Sequence, residues 1–270
     1  MKKKIILVGP IPPPKGGIAK YVSHLYESSY LQEKFNLNLF NTATPKEVRR
    51  YEKPNERSYL SFLSDGLIPG LKLIKYVLFN FFSFIKVVKL KKPVIVQVFT
   101  SSFWGFWRSS ILILIAKYYN IKVIFSLLNA IDNFWEESSF ISRQMIKYML
   151  NRCDYILVQS EGIKTFVDKI TGTTVLAIYN GIDLKDYENF SYKNSGNSKR
   201  KKQIVFVGAL TKNKGVYDLM DAYKIINDDS INYIFIGSGD IDGLKKFGNK
   251  NGISNQLMFK GNISDEEKIK

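Results

Sequence analysis

The chain has 270 residues, of which 45% are hydrophobic and 24% are charged, a composition typical of a folded globular protein. Its 40 Lys and Arg against 24 Asp and Glu give a formal net charge of +16, and residues 1–100 alone carry a net +11. This balance predicts an anionic partner: nucleic acid, an anionic membrane surface or a phosphorylated substrate. The single cysteine, Cys153, and the single histidine, His24, exclude an internal disulfide and a cysteine zinc site, and they disfavour a histidine-ligated metal.

No targeting or membrane-spanning segment is expected from the sequence. The apolar run near the start, residues 5–8, is shorter than the roughly seven residues that a signal peptide needs. The longest uncharged apolar stretch, residues 76–85, is half of the roughly twenty residues that span a bilayer. These lengths predict a cytoplasmic protein.

Short apolar runs alternate with segments of helical length along the whole chain. The predicted strands are residues 5–8, 37–40, 94–99, 122–125, 155–158, 175–178, 204–207, 233–236 and 257–259. The predicted helices are residues 18–30, 71–90, 106–119, 140–150, 162–170, 216–226 and 244–250. Most of the runs have no polar residues at alternating positions, and this is typical of parallel strands that are covered on both faces. The pattern therefore predicts a doubly wound α/β fold.

A polar segment rich in Asn, Ser and Lys, residues 185–202, is predicted to be a linker between domains 1–184 and 203–270. Near the end of the chain, Ser264 and Glu267 have the spacing of a helix-start capping box. The second domain has only three predicted strands, too few to cover its own apolar surface. We therefore expect it to be incomplete within these 270 residues; a frayed tail is the alternative.

Two basic, glycine-containing loops follow predicted strands. The first contains Gly16 and Gly17 before a helix, and the second contains Gly208, Lys212 and Lys214 before another. Glycines let backbone N–H groups approach an anion, and a helix N-terminus and lysines add positive charge. Neither loop has the P-loop or dinucleotide-binding spacing. On its own, the first motif is explained equally well by an ordinary tight turn, and the second is explained somewhat better by solvent-exposed loop lysines than by a diphosphate site.

A third glycine turn, with Gly237 and Gly239, ends the next predicted strand, and an Asn180-Gly181 pair precedes the predicted linker. Two glycine turns at neighbouring strand ends favour a ligand crevice. Taken in order, the four motifs resemble those of the retaining GT-B glycosyltransferases of family 4. The resemblance covers the whole chain and implies a GT-B fold with two Rossmann-like parallel-sheet domains, the second of them incomplete.

The resemblance implies transfer of a sugar from a nucleotide-diphosphate sugar to a lipid-linked or glycan acceptor, with retained anomeric configuration and neither metal nor cofactor. Such enzymes build cell-surface polysaccharides. By similarity, Gly16 and Gly17 line the cleft near the donor diphosphate, Gly208 permits close approach to it, and Lys214 neutralises it, helped by Lys212. Gly237 and Gly239 are implied to lie near the nucleotide.

The sequence departs from the family in three places. Ala209 stands where many members have Arg, and residues 124–132 lack the histidine that members commonly have there, leaving Asn129 or Asp132 in its place. The paired glutamates eight positions apart that mark the family's donor site are not found in the 270 residues. The alternative to an active transferase is therefore a non-catalytic remnant or subunit that binds membrane or acceptor, with a second chain completing the donor site.

The predicted helix at residues 71–90 is both apolar and basic. At 100° per residue, Lys72, Lys75, Lys86 and Lys89 share one side, and Phe79 lies among them. One interpretation is a core helix whose lysines face water. The other is a helix on an anionic membrane surface, which would make the protein peripheral on the inner face of the membrane. No nucleic-acid recognition motif accompanies the charge, so nucleic acid is not an expected partner.

The next strand end carries two tryptophans and an arginine. Trp104, Trp107 and Arg108 either contribute to an acceptor groove or are ordinary buried aromatic packing with a neighbouring cation. His24 lies in the first predicted helix, where a solvated helix residue is the expected role and a catalytic base is the alternative.

Overall fold

The computed structural model describes residues 2–12, 17–43, 67–100, 103–128, 131–181, 202–226 and 228–263. The chain divides into two compact units, Met1–Gly181 (unit 1) and Ile182–Lys270 (unit 2). The predicted linker lies outside the described residues except for Lys202, which already begins a strand. The predicted capping box at Ser264 and Glu267 also lies outside them.

Unit 1 is a six-stranded parallel sheet with helices on both faces. Its strands are β1 (Lys3–Gly9), β2 (Phe35–Asn41), β3 (Ile95–Thr100), β4 (Lys122–Leu127), β5 (Tyr155–Val158) and β6 (Thr174–Ala177). Its helices are α1 (Gly17–Glu27), α2 (Ser29–Lys34), α3 (Leu67–Lys91), α4 (Trp104–Tyr118), α5 (Ile131–Glu136), α6 (Phe140–Leu150) and α7 (Glu161–Ile170). The strand order is β2-β1-β3-β4-β5-β6, so the order reverses at β1.

This order decides which helices share a face. The chain steps one way from β1 to β2 and the other way from β2 to β6, and right-handed crossovers then place α1 opposite α3, α4, α6 and α7. The burial agrees. The main core joins strand residues such as Val98 and Phe125 to Phe84 of α3, Phe106 of α4 and Ile146 of α6. A smaller core joins Leu7 and Phe99, on the other face, to Val22 of α1.

Two helical predictions in unit 1 need correction. The predicted helix at residues 18–30 is wrong at its end, because α1 stops at Glu27 and a separate helix, α2, follows. Ser28 starts α2, and its hydroxyl accepts a hydrogen bond from the Leu31 amide at 3.4 Å, as a helix-capping side chain does. The six-residue helix α5 was not expected from the sequence.

Unit 2 has a parallel sheet in the order β7-β8-β9 within the described residues. Its elements are β7 (Lys202–Val207), α8 (Val216–Ile226), β8 (Ile231–Ile236), α9 (Ile241–Lys250) and β9 (Leu257–Gly261). Met220 of α8 and Leu244 of α9 pack with Phe235 of β8 in one core. The opposite sheet face leaves Val205 and Val207 exposed. In the described parts of both units, no helix is long and apolar enough to cross a bilayer.

Candidate functional site

The loop between β7 and α8 carries the predicted basic motif of unit 2. After Gly208 the chain forms a short 3₁₀ turn, Lys212–Lys214, and then a left-handed Gly215 from which α8 begins. The side chains of Lys212 and Lys214 are exposed. Among the described residues, a Cβ added at Gly208 would meet only the Phe206 ring, at 3.6 Å, so the space beside this glycine is open in the part of the chain that the structure describes.

The loop after β8 lies directly against the first loop, and Gly237 and Gly239 make that contact possible. A Cβ at Gly237 would lie 1.8 Å from the Gly208 carbonyl oxygen, and one at Gly239 would lie 2.3 Å from the Leu210 oxygen. Both glycines have positive φ, 144° and 149°, which L side chains rarely adopt. These two residues, predicted to lie near a nucleotide, therefore have a demonstrable role in packing loop on loop.

Backbone hydrogen bonds join the two loops beyond the ends of their strands. The Gly208 amide donates to the Ile236 carbonyl at 2.9 Å, and the Leu210 amide donates to the Ser238 carbonyl at 2.8 Å. In return, the Asp240 amide donates to the Leu210 carbonyl at 2.9 Å. The loops therefore form one structure, with the lysines of the first loop displayed on it.

Asp240 fixes the far side of this structure. Its carboxylate accepts hydrogen bonds from the Tyr217 hydroxyl at 2.5 Å and from the Gly243 amide at 3.0 Å. These bonds, in that order of importance, lower the pKa of Asp240, while the same contact with Asp240 raises the pKa of Tyr217. The pair links the first turn of α8 to the first turn of α9, so both helices begin at the two-loop structure.

The chemistry of this arrangement suits an anion. The first amides of an α-helix have no partner within the helix and carry a partial positive charge, and α8 begins two residues after Lys214. Two lysine side chains add full positive charges, and Gly208 leaves room for close approach. The shape and charge of a diphosphate match these features.

In unit 1, the strand order places a crevice at the reversal, between the carboxyl ends of β1 and β3. Ligands of doubly wound sheets bind at such a point. Gly17 begins α1 there and is exposed, and a Cβ on it would meet none of the described residues within 4 Å. Gly16 lies outside the described residues. At the other end of the sheet, Gln159 donates to the Asn180 side chain at 2.8 Å, which anchors the Asn180-Gly181 motif.

Helices α4 and α5, which follow β3 and β4, each carry a buried polar atom that has no hydrogen-bond partner among the described residues. These atoms are Nε of Arg108 and Oδ1 of Asp132. Buried polar atoms are nearly always paired in folded proteins, so an unpaired one points to a bound ligand or water. The start of α4 is also strained, because Phe103, five residues before Arg108, has a φ of 58°. The sequence motifs name both residues as candidates, but the lack of hydrogen-bond partners is visible only in the structure.

The single cysteine is buried, and the single histidine is exposed. Cys153 is buried, and burial together with neighbouring Asp154 raises its pKa to about 12, so the thiol is not a nucleophile at neutral pH. His24 is exposed on α1, as expected for a solvated helix residue.

The structure places part of the predicted basic helix at the surface. In α3, Phe79, Lys86 and Lys89 are exposed, while Phe84 and Val88 on the opposite side enter the main core. Lys72 and Lys75 lie on the same helix, but their side chains fall outside the described residues. The helix thus has both a core face and an exposed face on which apolar and basic residues mix.

The chain resembles known glycosyltransferases in sequence. Residues 188–270 match the family model described as glycosyl transferases group 1. An uncharacterized glycosyltransferase of Methanocaldococcus jannaschii is 22% identical over 280 residues, which cover 99% of this chain and 71% of that protein. The family match includes the whole two-loop structure of unit 2.

Solved structures show the same fold. HepE of Anabaena, solved in complex with UDP, has a TM-score of 0.60 at 13% identity and covers 97% of this chain and 70% of its own. The lipopolysaccharide outer core galactosyltransferase WaaB has a TM-score of 0.56 at 16% identity, and the match covers 98% of this chain and 70% of WaaB. A putative UDP-N-acetylglucosamine 2-epimerase from Listeria monocytogenes has a TM-score of 0.55 at 9% identity, covering 100% and 71%.

The chain therefore has the two-domain Rossmann-like GT-B fold, and the predicted fold class is confirmed. Because the neighbours include both glycosyltransferases and an epimerase, the fold does not decide the reaction. The group 1 match over unit 2 favours glycosyl transfer.

Proposed function

We propose that the protein transfers a sugar from a nucleotide-diphosphate sugar to a glycan or lipid-linked acceptor, as a retaining enzyme of the family 4 type. The observation that carries the proposal is the exposed Lys212–Lys214 turn. It lies beside the N-terminus of α8 and after the open Gly208, inside the segment that matches glycosyl transferases group 1. The UDP complex of HepE supports a nucleotide-diphosphate donor.

In this proposal the loop acts on the leaving group. Sugar transfer breaks the bond between the anomeric carbon and a diphosphate oxygen, and negative charge grows on the diphosphate as the bond breaks. Lys214, assisted by Lys212 and the amides at the start of α8, stabilises that charge. Gly237 and Gly239 hold the loop in place beside the nucleotide. Gly16 and Gly17 are included in the donor site on the family resemblance alone.

The acceptor side of the proposal belongs to unit 1. Arg108 and Asp132 offer unpartnered polar atoms next to the reversal of strand order, and a sugar hydroxyl is a suitable partner for both. The exposed side of α3, with Phe79, Lys86 and Lys89, is assigned to an anionic membrane surface on the cytoplasmic side, and Lys72 and Lys75 are included on their sequence spacing alone. A role in cell-surface polysaccharide synthesis, as the name of WaaB suggests for that protein, completes the proposal.

The donor site is tested by titrating the full chain with UDP in a calorimeter. Lys214→Ala is expected to weaken UDP binding by about 10- to 100-fold, the value of a charge-assisted contact to phosphate. Lys245→Ala removes an equally exposed lysine from α9 and is the matched control. Equal UDP affinity in the parent and in Lys214→Ala would refute the assignment of the loop.

A second candidate function is a binding subunit whose donor site is completed by another chain. The absence of a glutamate pair eight positions apart within the 270 residues favours it. Transfer of labelled sugar by the purified chain alone would exclude this candidate. Binding of acceptor lipid without any turnover of donor, restored to turnover by a second protein, would support it over the first.

A further inference from the structure

Helix α6 displays an apolar stripe to solvent that the basic-helix interpretation of α3 did not include. Ile141, Met145 and Tyr148 recur at helical spacing on one side, and Phe140 lies beside them. Their exposed fractions are 72%, 52% and 51%, with 75% for Phe140. The opposite side of the helix packs against the sheet, where Ile146, Met149 and Leu150 are buried in the main core. The side chains of the stripe therefore do not contribute to the packing of unit 1.

Helices α3 and α4 display apolar side chains on the same side of the sheet as α6. All three helices contribute to the main core, so their outer sides face away from the sheet in the same direction. The exposed large apolar residues of α3 and α4 are Leu78, Phe79, Phe82, Leu90, Trp104, Leu114 and Tyr118. We call the outer side of α3, α4 and α6 the three-helix face. Single exposed apolar residues are ordinary, but this concentration marks a binding surface.

The helices of the three-helix face carry basic residues and no acidic ones. Helices α3, α4 and α6 contain five, two and two Lys or Arg residues, and none contains Asp or Glu. The side chains of Lys86, Lys89 and Lys147 are exposed, whereas Lys117 of α4 is paired with Asp154 at 2.9 Å.

Helix α7, the next along the sheet, is different. It carries Glu161 and Asp168 as well as two lysines, and no large apolar residue on it is strongly exposed. The basic and apolar character thus ends at α6, which gives the face a defined edge.

A cation accompanies the stripe on α6 itself. Lys147 is exposed next to Tyr148, and the Arg152 guanidinium lies 4.7 Å from the centre of the Tyr148 ring. Apolar side chains with lysines, arginines and a tyrosine around them suit the boundary between lipid tails and anionic headgroups. Each cation near such a surface adds attraction.

We propose that the three-helix face binds an anionic lipid bilayer, with the α6 stripe inserting beside α3. The proposal extends the membrane contact proposed above for α3 and does not depend on donor binding or sugar transfer. A second copy of the chain is a poor occupant, because a symmetric contact would place like charges against each other. Nucleic acid would leave the aliphatic residues of α6 without partners.

The test is sedimentation of the full chain with lipid vesicles. Vesicles contain either phosphatidylcholine alone or phosphatidylcholine with about one third phosphatidylglycerol. The parent is expected to bind the anionic vesicles and to be released by salt. The double variant Ile141→Ser with Met145→Ser is expected to bind at least about tenfold more weakly, since each removed side chain takes away buried apolar area. Both positions are exposed, so folding is preserved.

Two controls make the result specific. Ile225→Ser changes an equally apolar residue on α8 of unit 2, where Ile225 is 83% exposed, and is expected to bind vesicles as the parent does. Phe79→Ser tests α3 separately. If Phe79→Ser weakens binding and the α6 double variant does not, the inference about α6 is overturned while the α3 contact stands. If the parent binds no vesicles, both are overturned, and the UDP titration still decides the donor site.

A labelling experiment gives an independent readout. Because the only native cysteine, Cys153, is buried and has a raised pKa, Tyr148→Cys introduces one reactive thiol on α6. An environment-sensitive dye there is expected to shift to the blue with anionic vesicles, and the same dye at Lys169→Cys on α7 is not. Equal shifts at both positions, no shift at either, or a shift produced by DNA in place of vesicles would contradict the proposal.

Discussion

The two units of the protein hold their strand-end loops in different ways. In unit 2 the loops after β7 and β8 are joined by backbone amides and carbonyls and by two glycines with no room for a side chain. Unit 1 also has backbone bonds beyond its strand ends, such as that from the Leu128 amide to the Thr100 carbonyl at 3.2 Å, but side chains add to them. Asn41 accepts from the amides of Ile11 and Ala43, and Gln159 donates to Asn180. The loops of unit 2 therefore need two positions without side chains, whereas the loops of unit 1 use particular side chains in addition to backbone bonds.

The largest effect that this comparison predicts is for Gly237→Ala. The new Cβ would overlap the Gly208 carbonyl oxygen at 1.8 Å in a backbone conformation unfavourable for alanine, so the loops must separate. We expect a loss of about 3 kcal/mol or more in the stability of unit 2, together with loss of UDP binding. Urea denaturation measures the first. Gly162→Ala on α7, where a Cβ meets nothing within 4 Å, is the control and should not destabilise the protein.

The next effect concerns a side chain that joins three elements of unit 1. Asp154 accepts hydrogen bonds from the Lys117 ammonium at 2.9 Å and from the Val123 amide at 2.7 Å. Partial burial alone would raise the pKa of Asp154, but these two hydrogen bonds and the positive charges of Lys117 and Lys122 together outweigh it and leave the pKa lowered. Asp154→Ala is expected to lower the free energy of unfolding by about 2 kcal/mol, because the Val123 amide loses its partner.

The same carboxylate gives a pH dependence with a definite sign. A carboxylate with a lowered pKa in the folded state stabilises the protein above its ordinary pKa, near 4, and this contribution is lost as the pH falls through the folded value. The difference in stability between the parent and Asp154→Ala should thus be constant near neutral pH and shrink below about pH 4. A difference that grows on acidification would show that the pKa of Asp154 is raised instead.

The smallest predicted effect concerns chemistry and not stability. Asp132→Asn keeps the shape of the side chain but replaces the carboxylate that has an unpartnered buried oxygen. If a substrate hydroxyl donates to it, kcat/KM for sugar transfer falls by about tenfold, the value of one such hydrogen bond, while UDP affinity stays unchanged. Glu136→Gln changes an exposed acid of the same helix and should leave both quantities as they are. A stability loss without any kinetic change would assign Asp132 a purely structural role.

Much of the fold could be predicted from the sequence because apolar runs are local signals. All nine predicted strands are present, β5 has the predicted ends, and α6 and α8 begin and end at the predicted residues. The break after Glu27 was missed because Ser28 acts as a cap only in the conformation that the chain adopts there. Helix α5 was missed because six residues give too short a pattern for helical periodicity to be visible.

The candidate sites depend on contacts that sequence patterns do not contain. Gly237 and Gly239 were predicted from their glycine turn. The structural requirement for glycine at these positions comes from another loop, because the carbonyls of Gly208 and Leu210 leave no room for a side chain. The stripe on α6 was missed for a related cause. Its sequence contains two apolar sides, one with Ile146 and one with Met145, and only the packed structure decides which of them is buried.

The interlocked loops of unit 2 also set a rule for exchanging parts between related proteins. A loop after β7 taken from a relative brings its own carbonyl positions at 208 and 210, and Gly237 and Gly239 must fit beneath them. The two loops are therefore not exchangeable one at a time. A graft that transfers residues 208–215 together with 237–240 should fold, whereas either segment moved alone should produce an unstable chimera.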